Sequence, residues 1–149
     1  MNDFFADTMV PLIWTFAVGA IGWVLTHFCL KPILKFHRLR EKTHETLEFT
    51  PNVYHRPTDP ARYDQACDEI RRLAAQLRAL HFSTNWAVRI YFQSRGFELG
   101  EAGSAMIGLS NTLSDKTGER AGLRWDAEKA LKLPLSYKTR PEIREKAEF

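Results

Sequence analysis

Four side chains able to bind a metal or move a proton fall on one stretch of this chain: His37, Glu41, His44 and Glu48. Their spacing is i, i+4, i+7 and i+11, which stacks them along one face of an α-helix. Two imidazoles and a carboxylate form a set that zinc or iron accepts. Eleven residues of helix spread the four groups over about 16 Å, so at most His37, Glu41 and His44 could meet one ion. A solvated, charge-laced helix face explains the same pattern more simply, because the surrounding segment is dense in Lys, Arg and Glu. No catalytic residue, metal ligand or cofactor-binding residue is therefore assigned. His37, Glu41 and His44 stand as a speculative site.

Arg38 and His44 have five residues between them, which is similar to the Arg-to-His spacing of the HEPN ribonucleases. That resemblance implies RNA cleavage, but Leu39 stands where the motif has a polar residue. Further along, Arg71, Arg72 and Arg78 make a basic edge that, with Trp86 and Tyr91, could contact phosphates and stack bases. Asp68 and Glu69 beside them argue for an ordinary solvated face, and nucleic acid is not an expected partner. Ser110 and Asn111 read as polar contacts between helices. No phosphate-binding glycine loop, nucleophile elbow or cysteine metal motif is present in the sequence.

The element that must position all of these is the apolar run over residues 9–30, MVPLIWTFAVGAIGWVLTHFCL, which lacks Asp, Glu, Lys and Arg. As a helix it is about 33 Å long, enough to cross a bilayer core. Its ten large aliphatic and Phe residues favour insertion by roughly 3 to 5 kcal/mol. It has no polar face, as a water-soluble helix of that length would. A cleaved signal peptide needs a basic leader and small residues before the cut; this leader carries Asp3 and Asp7. An uncleaved signal anchor is predicted. Within it, Thr15, Gly19, Gly22 and Thr26 form a stripe of small residues suited to close helix association.

Lys31, Lys35, Arg38, Arg40 and Lys42 follow the run, and no basic residue precedes it. The positive-inside rule then puts residues 1–8 outside and everything after residue 30 in the cytoplasm, on the inner membrane. The same five side chains are expected to contact lipid head groups, at about 1 kcal/mol each. The 149 residues carry a net charge of +3. With Asp3 and Asp7 outside, the remainder has 21 basic against 16 acidic residues, or +5. That is a modest excess, better matched to an anionic leaflet than to nucleic acid. Cys29 and Cys67 give no disulfide framework.

An all-α architecture is expected, with one transmembrane helix and a small cytoplasmic bundle. Pro32 should kink or break the helix at the membrane surface. A basic juxtamembrane helix over residues 31–49 leads to a Pro-rich linker, residues 50–60. The helical domain spans residues 61–133. Its clearest helix, residues 60–81, has Asp59 as N-cap and an apolar stripe of Tyr63, Ala66, Cys67, Ile70, Leu73, Ala74, Leu77 and Leu80. Residues 84–93 alternate like a strand, but without a partner strand they read as a short helix capped by Thr84 or Asn85. Gly103 and Gly108 in the helix over residues 100–114 imply close packing, since each costs about 1 kcal/mol against Ala. Gly118 and Gly122 read as a loop, residues 123–133 as a last helix anchored by Trp125, and residues 134–149 as a mobile charged tail.

Met106-Ile107-Gly108-Leu109-Ser110-Asn111 resembles an I-G-L-S-N signature of small bacterial inner-membrane proteins of unknown function. Those proteins share an N-terminal span, a basic segment with a nearby proline, and an Arg-rich amphipathic helix. Here that helix would carry Ile70-Arg71-Arg72-Leu73-Ala74, and the likeness covers residues 9–114. It brings no activity with it. The expected function is a membrane-anchored adaptor or accessory subunit that binds membrane lipids and either self-associates or docks on a larger membrane complex. The alternatives are a tethered effector or enzyme, of metal or nuclease type, using the His37/His44 helix, and a small pore-forming oligomer.

Overall fold

The computed structural model describes residues 2–54, 60–113 and 119–136. Among them every regular element is helical. The chain begins with α1 (Asn2–Leu25), a five-residue π-turn (Thr26–Leu30) and α2 (Lys31–Tyr54), contiguous as one long rod. Then come α3 (Pro60–Ser83), α4 (Trp86–Ser94), α5 (Leu99–Asn111) and α6 (Glu119–Ala130). The predicted all-α class is correct.

The apolar run behaves unlike the rest. Leu12, Ile13, Trp14, Phe16, Val18, Ile21 and Trp23 are all exposed, Phe16 at 79%. One helix near the N-terminus is thus long and apolar enough to cross a membrane, and none of its apolar window is buried in the protein.

Pro32 does not break the rod; the distortion expected of it takes the form of a π-turn. An α-helix would need the residue-32 N–H to bond the Phe28 carbonyl, and proline has none while its ring crowds that carbonyl. The helix widens just before the proline: the Lys31 N–H bonds Thr26 O, five residues back, in place of the usual four. The Phe28 carbonyl takes a donor from elsewhere, the Asn85 side-chain amide at 2.6 Å.

Past the π-turn, α2 is a full member of the bundle. Phe36, Leu39, Thr43 and Leu47 are buried, at the helical spacing of three and four. The helix also continues through Pro51 to Tyr54, so residues 50–54 of the expected linker are helical. Residues 55–59, Asp59 included, lie outside the described residues.

The stripe predicted for α3 is the spine of the core. Cys67, Ile70, Leu73, Ala74, Leu77 and Leu80 are buried; Tyr63 and Ala66 are half-buried. Helix α3 packs on α2 and α5, and α5 packs on α6. From α5 come Leu99, Ala102, Ala105, Met106 and Leu109. Fully burying such a side chain contributes roughly 1.5 to 3 kcal/mol. Gly103 permits the closest approach. A Cβ there would lie 2.6 Å from Arg78 Cγ and 3.4 Å from the Ala74 carbonyl.

Helix α4 is a helix and not a strand. Asn85 is its N-cap, its side-chain oxygen accepting from Val88 N at 3.0 Å. Gly96, at φ +68°, closes it, with Gly96 N–H on Gln93 O and Phe97 N–H on Phe92 O. The same closure ends α6, where Leu133 N–H reaches Glu128 O at 2.8 Å, but Lys132 occupies the left-handed position at φ 51°. Gly122 lies buried inside α6 instead of in a loop; Gly118 is outside the described residues. Residues 134–136 are not a free tail either, because Ser136 is bonded to Glu128. Residues 137–149 lie outside the described residues.

Candidate functional site

The end of the bundle where the rod enters gathers the most distinctive geometry. Asn85 is used twice: its oxygen caps α4 and its amide nitrogen serves the carbonyl that Pro32 leaves without a helical donor. One polar side chain thereby fixes the α3–α4 corner at the level of Phe28, 57 residues earlier in the chain. Around it, Lys31 Nζ lies 2.7 Å from His27 Nε2, and the His27 ring stacks on Trp23 with centroids 4.4 Å apart. His27 is thus occupied by Lys31 and Trp23 at the end of the apolar run.

The small-residue stripe is open on every side. A Cβ at Gly19 or Gly22 would meet no atom within 4 Å. Both threonine hydroxyls turn back on their own helix, Thr15 Oγ1 to Pro11 O and Thr26 Oγ1 to Gly22 O, each at 2.8 Å. Their hydrogens are spent within the helix, which leaves shape as the recognisable feature of this face.

The five basic residues proposed for head-group contact divide. Lys31, Lys35 and Arg38 are exposed. Arg40 turns inward: Nε donates to Leu131 O at 2.8 Å and Nη2 to Lys132 O at 2.5 Å, placing a cation on the C-terminal carbonyls of α6. Lys42 pairs with Glu69 of α3 at 3.3 Å. Sequence position alone had grouped all five with the membrane. The partners of Arg40 and Lys42 are 27 or more residues away.

His37, Glu41 and His44 are not brought together as a ligand set. His37 is exposed with Nε2 3.4 Å from the Tyr91 hydroxyl, Glu41 is exposed, and His44 is half-buried. Among the described residues no three His, Cys, Asp or Glu side chains converge on a point. The basic edge of α3 is drawn into local contacts. Arg71 sits 3.7 Å from Asp68 and 3.4 Å from Asn111 Oδ1, Arg72 sits 3.6 Å from Glu69, and the Arg78 stem fills the space beside Gly103. Ser110 is buried and donates to Ile107 O at 2.8 Å.

One polar cluster escaped sequence reasoning. Glu128 is only 2% exposed and accepts from Arg124 Nε at 2.7 Å, Ser136 N at 2.8 Å and Ser136 Oγ at 2.5 Å. Arg124 also reaches Glu48 of α2 at 3.0 Å. The i, i+4 spacing of Arg124 and Glu128 was visible, but such pairs are usually solvated. Ser136, from the chain after α6, supplies two of the Glu128 hydrogen bonds. This network locks the chain after α6 to the bundle; its donors are all engaged in structure.

The chain matches no family model, no curated protein and no solved structure.

Proposed function

We propose that this protein is a single-span membrane adaptor or accessory subunit. Its apolar run crosses the cytoplasmic membrane with the N-terminus outside, and residues 31 onward form a helical bundle on the cytoplasmic face. It acts by assembly, through self-association along the span or by docking on a larger membrane complex. The observation that carries this reading is the contrast along one rod. The large apolar side chains from Leu12 to Leu25 in α1 are bare, while Phe36, Leu39 and Leu47 on its continuation are packed in a core. A bare apolar helix of this length has only lipid or another membrane helix to cover it. The exposed cations Lys31, Lys35 and Arg38 on one flank support the orientation, and the open stripe at Gly19 and Gly22 supports close helix contact.

The test is the mass of the detergent-solubilised particle, with and without the double substitution Gly19→Leu, Gly22→Leu. The expected result is a native particle heavier than one chain, or one that carries a membrane partner, reduced to a single chain by the substitutions. A native particle that is strictly monomeric and co-purifies with nothing removes the reading. Protease treatment of intact cells checks orientation, and the bundle should survive it.

A further inference from the structure

The bundle leaves two large aromatic side chains uncovered at one place. Phe82, near the end of α3, is 73% exposed, and Trp86, opening α4, is 77% exposed. They flank the short connection over residues 84–85. The other face of the same short helix is well packed: Val88 and Phe92 are buried, and the Phe92 ring lies 4.7 Å from Phe36. Exposure at Phe82 and Trp86 is therefore a property of this corner, not of a loosely packed segment.

The level of the corner is fixed by two tethers. At the N-terminal end of α4, Asn85 bonds the Phe28 carbonyl at 2.6 Å. Toward its C-terminal end, Tyr91 lies 3.4 Å from His37. Helix α4 thus runs alongside α2 in the same direction, starting at Phe28 and moving away from the apolar run. Phe28 is two residues inside the end of that run, which at about 1.5 Å per residue places the corner roughly 3 Å within it. Tryptophan is enriched at that depth, where its ring meets the boundary between acyl chains and head groups. Ile90, one turn further along α4 and next to the exposed Arg89, is also exposed but lies beyond that boundary.

We infer that the α3–α4 corner is a second membrane contact, with Phe82 and Trp86 seated in the interfacial zone of the leaflet through which the rod leaves. The occupant of this patch is lipid. The inference rests on the proposed membrane reading, because the level of the corner has meaning only if residues 9–30 span the bilayer. The bundle is then held against the surface at two points, and it cannot rotate about the rod without pulling Trp86 into water.

The chain has four tryptophans, Trp14, Trp23, Trp86 and Trp125. Two full-length variants, each keeping a single tryptophan and carrying Phe at the other three positions, are placed in phosphatidylcholine–phosphatidylglycerol vesicles. One keeps Trp14 and the other keeps Trp86. Emission is recorded with plain lipid, with lipid brominated near the head-group end of the acyl chains, and with aqueous iodide. The expected result is blue-shifted Trp86 emission, quenched about twofold or more by the brominated lipid and little by iodide. If Trp14 is quenched by brominated lipid while Trp86 emits as in water and yields to iodide, the inference is overturned and the span stands. Blue-shifted Trp86 emission that brominated lipid leaves unchanged also overturns it, since protein then covers the patch. If Trp14 is not quenched by the lipid, the membrane reading itself fails and takes the inference with it. Because Trp125 is half-buried, a Trp86→Cys variant carrying Cys29→Ala and an environment-sensitive label repeats the measurement with Trp125 in place.

Discussion

Helices α1 and α3 are each 24 residues long, yet they solve opposite problems. Helix α3 alternates apolar and charged residues at helical spacing, and its apolar side chains vanish into the core. From Pro11 onward helix α1 carries no charged residue, and its large apolar side chains, Leu12 to Leu25, are exposed. What separates them is the angular distribution of apolar residues and the medium each distribution requires. A stripe calls for a protein neighbour; a uniform coat calls for lipid or another membrane helix.

Breaking the core side of that comparison has the largest expected effect. Phe36 packs against Phe92 and Phe97, with both ring centroids 4.7 Å away, and it joins α2 to the α4–α5 region. Phe36→Ala is expected to lower bundle stability by about 3 to 5 kcal/mol, read as a fall in the thermal unfolding midpoint. Breaking the lipid side has a different signature. Ile21→Arg is expected to oppose insertion by about 2.5 to 3.5 kcal/mol, shifting the protein out of the membrane fraction while the bundle midpoint stays where it was. A parallel loss of bundle stability would mean that α1 is packed on protein after all.

Two smaller effects sharpen the boundary between the regions. Glu128→Gln removes the buried charge that Arg124 and Ser136 surround, and is expected to cost about 2 kcal/mol by chemical denaturation. It should leave membrane partition unchanged. Asn85→Ala removes an N-cap and the donor to Phe28 O together, at about 1 kcal/mol. Hydrogen exchange should quicken first at the N-terminal amides of α4 and beside the π-turn, in both places at once. Faster exchange at α4 alone would separate the two uses of Asn85.

Much of this was legible in the sequence where the signal is local. The stripe of α3 lies in its own spacing, the bare span in its lack of charge, and the start of α4 in the pair Thr84-Asn85, of which Asn85 is the cap. Pro32 distorts the rod without ending it, and Pro51 lies inside α2. At Pro32 the missing donor is replaced by a residue 57 positions away, which no local pattern contains. Arg40 was grouped with the head-group cations by proximity along the chain, whereas its partners are the carbonyls of residues 131 and 132. The ladder of His37, Glu41 and His44 was real as spacing, but one helix face does not by itself make side chains converge.

The π-turn lets the helix pass through a proline with no break between α1 and α2. The helix runs unbroken from the bare apolar run into the packed α2. Helix α2 is about 36 Å long, so leaning the rod by about 20°, a common transmembrane angle, carries its far end sideways by roughly 12 Å. Bilayer thickness, which sets that lean, would be translated into the lateral position of whatever the bundle holds.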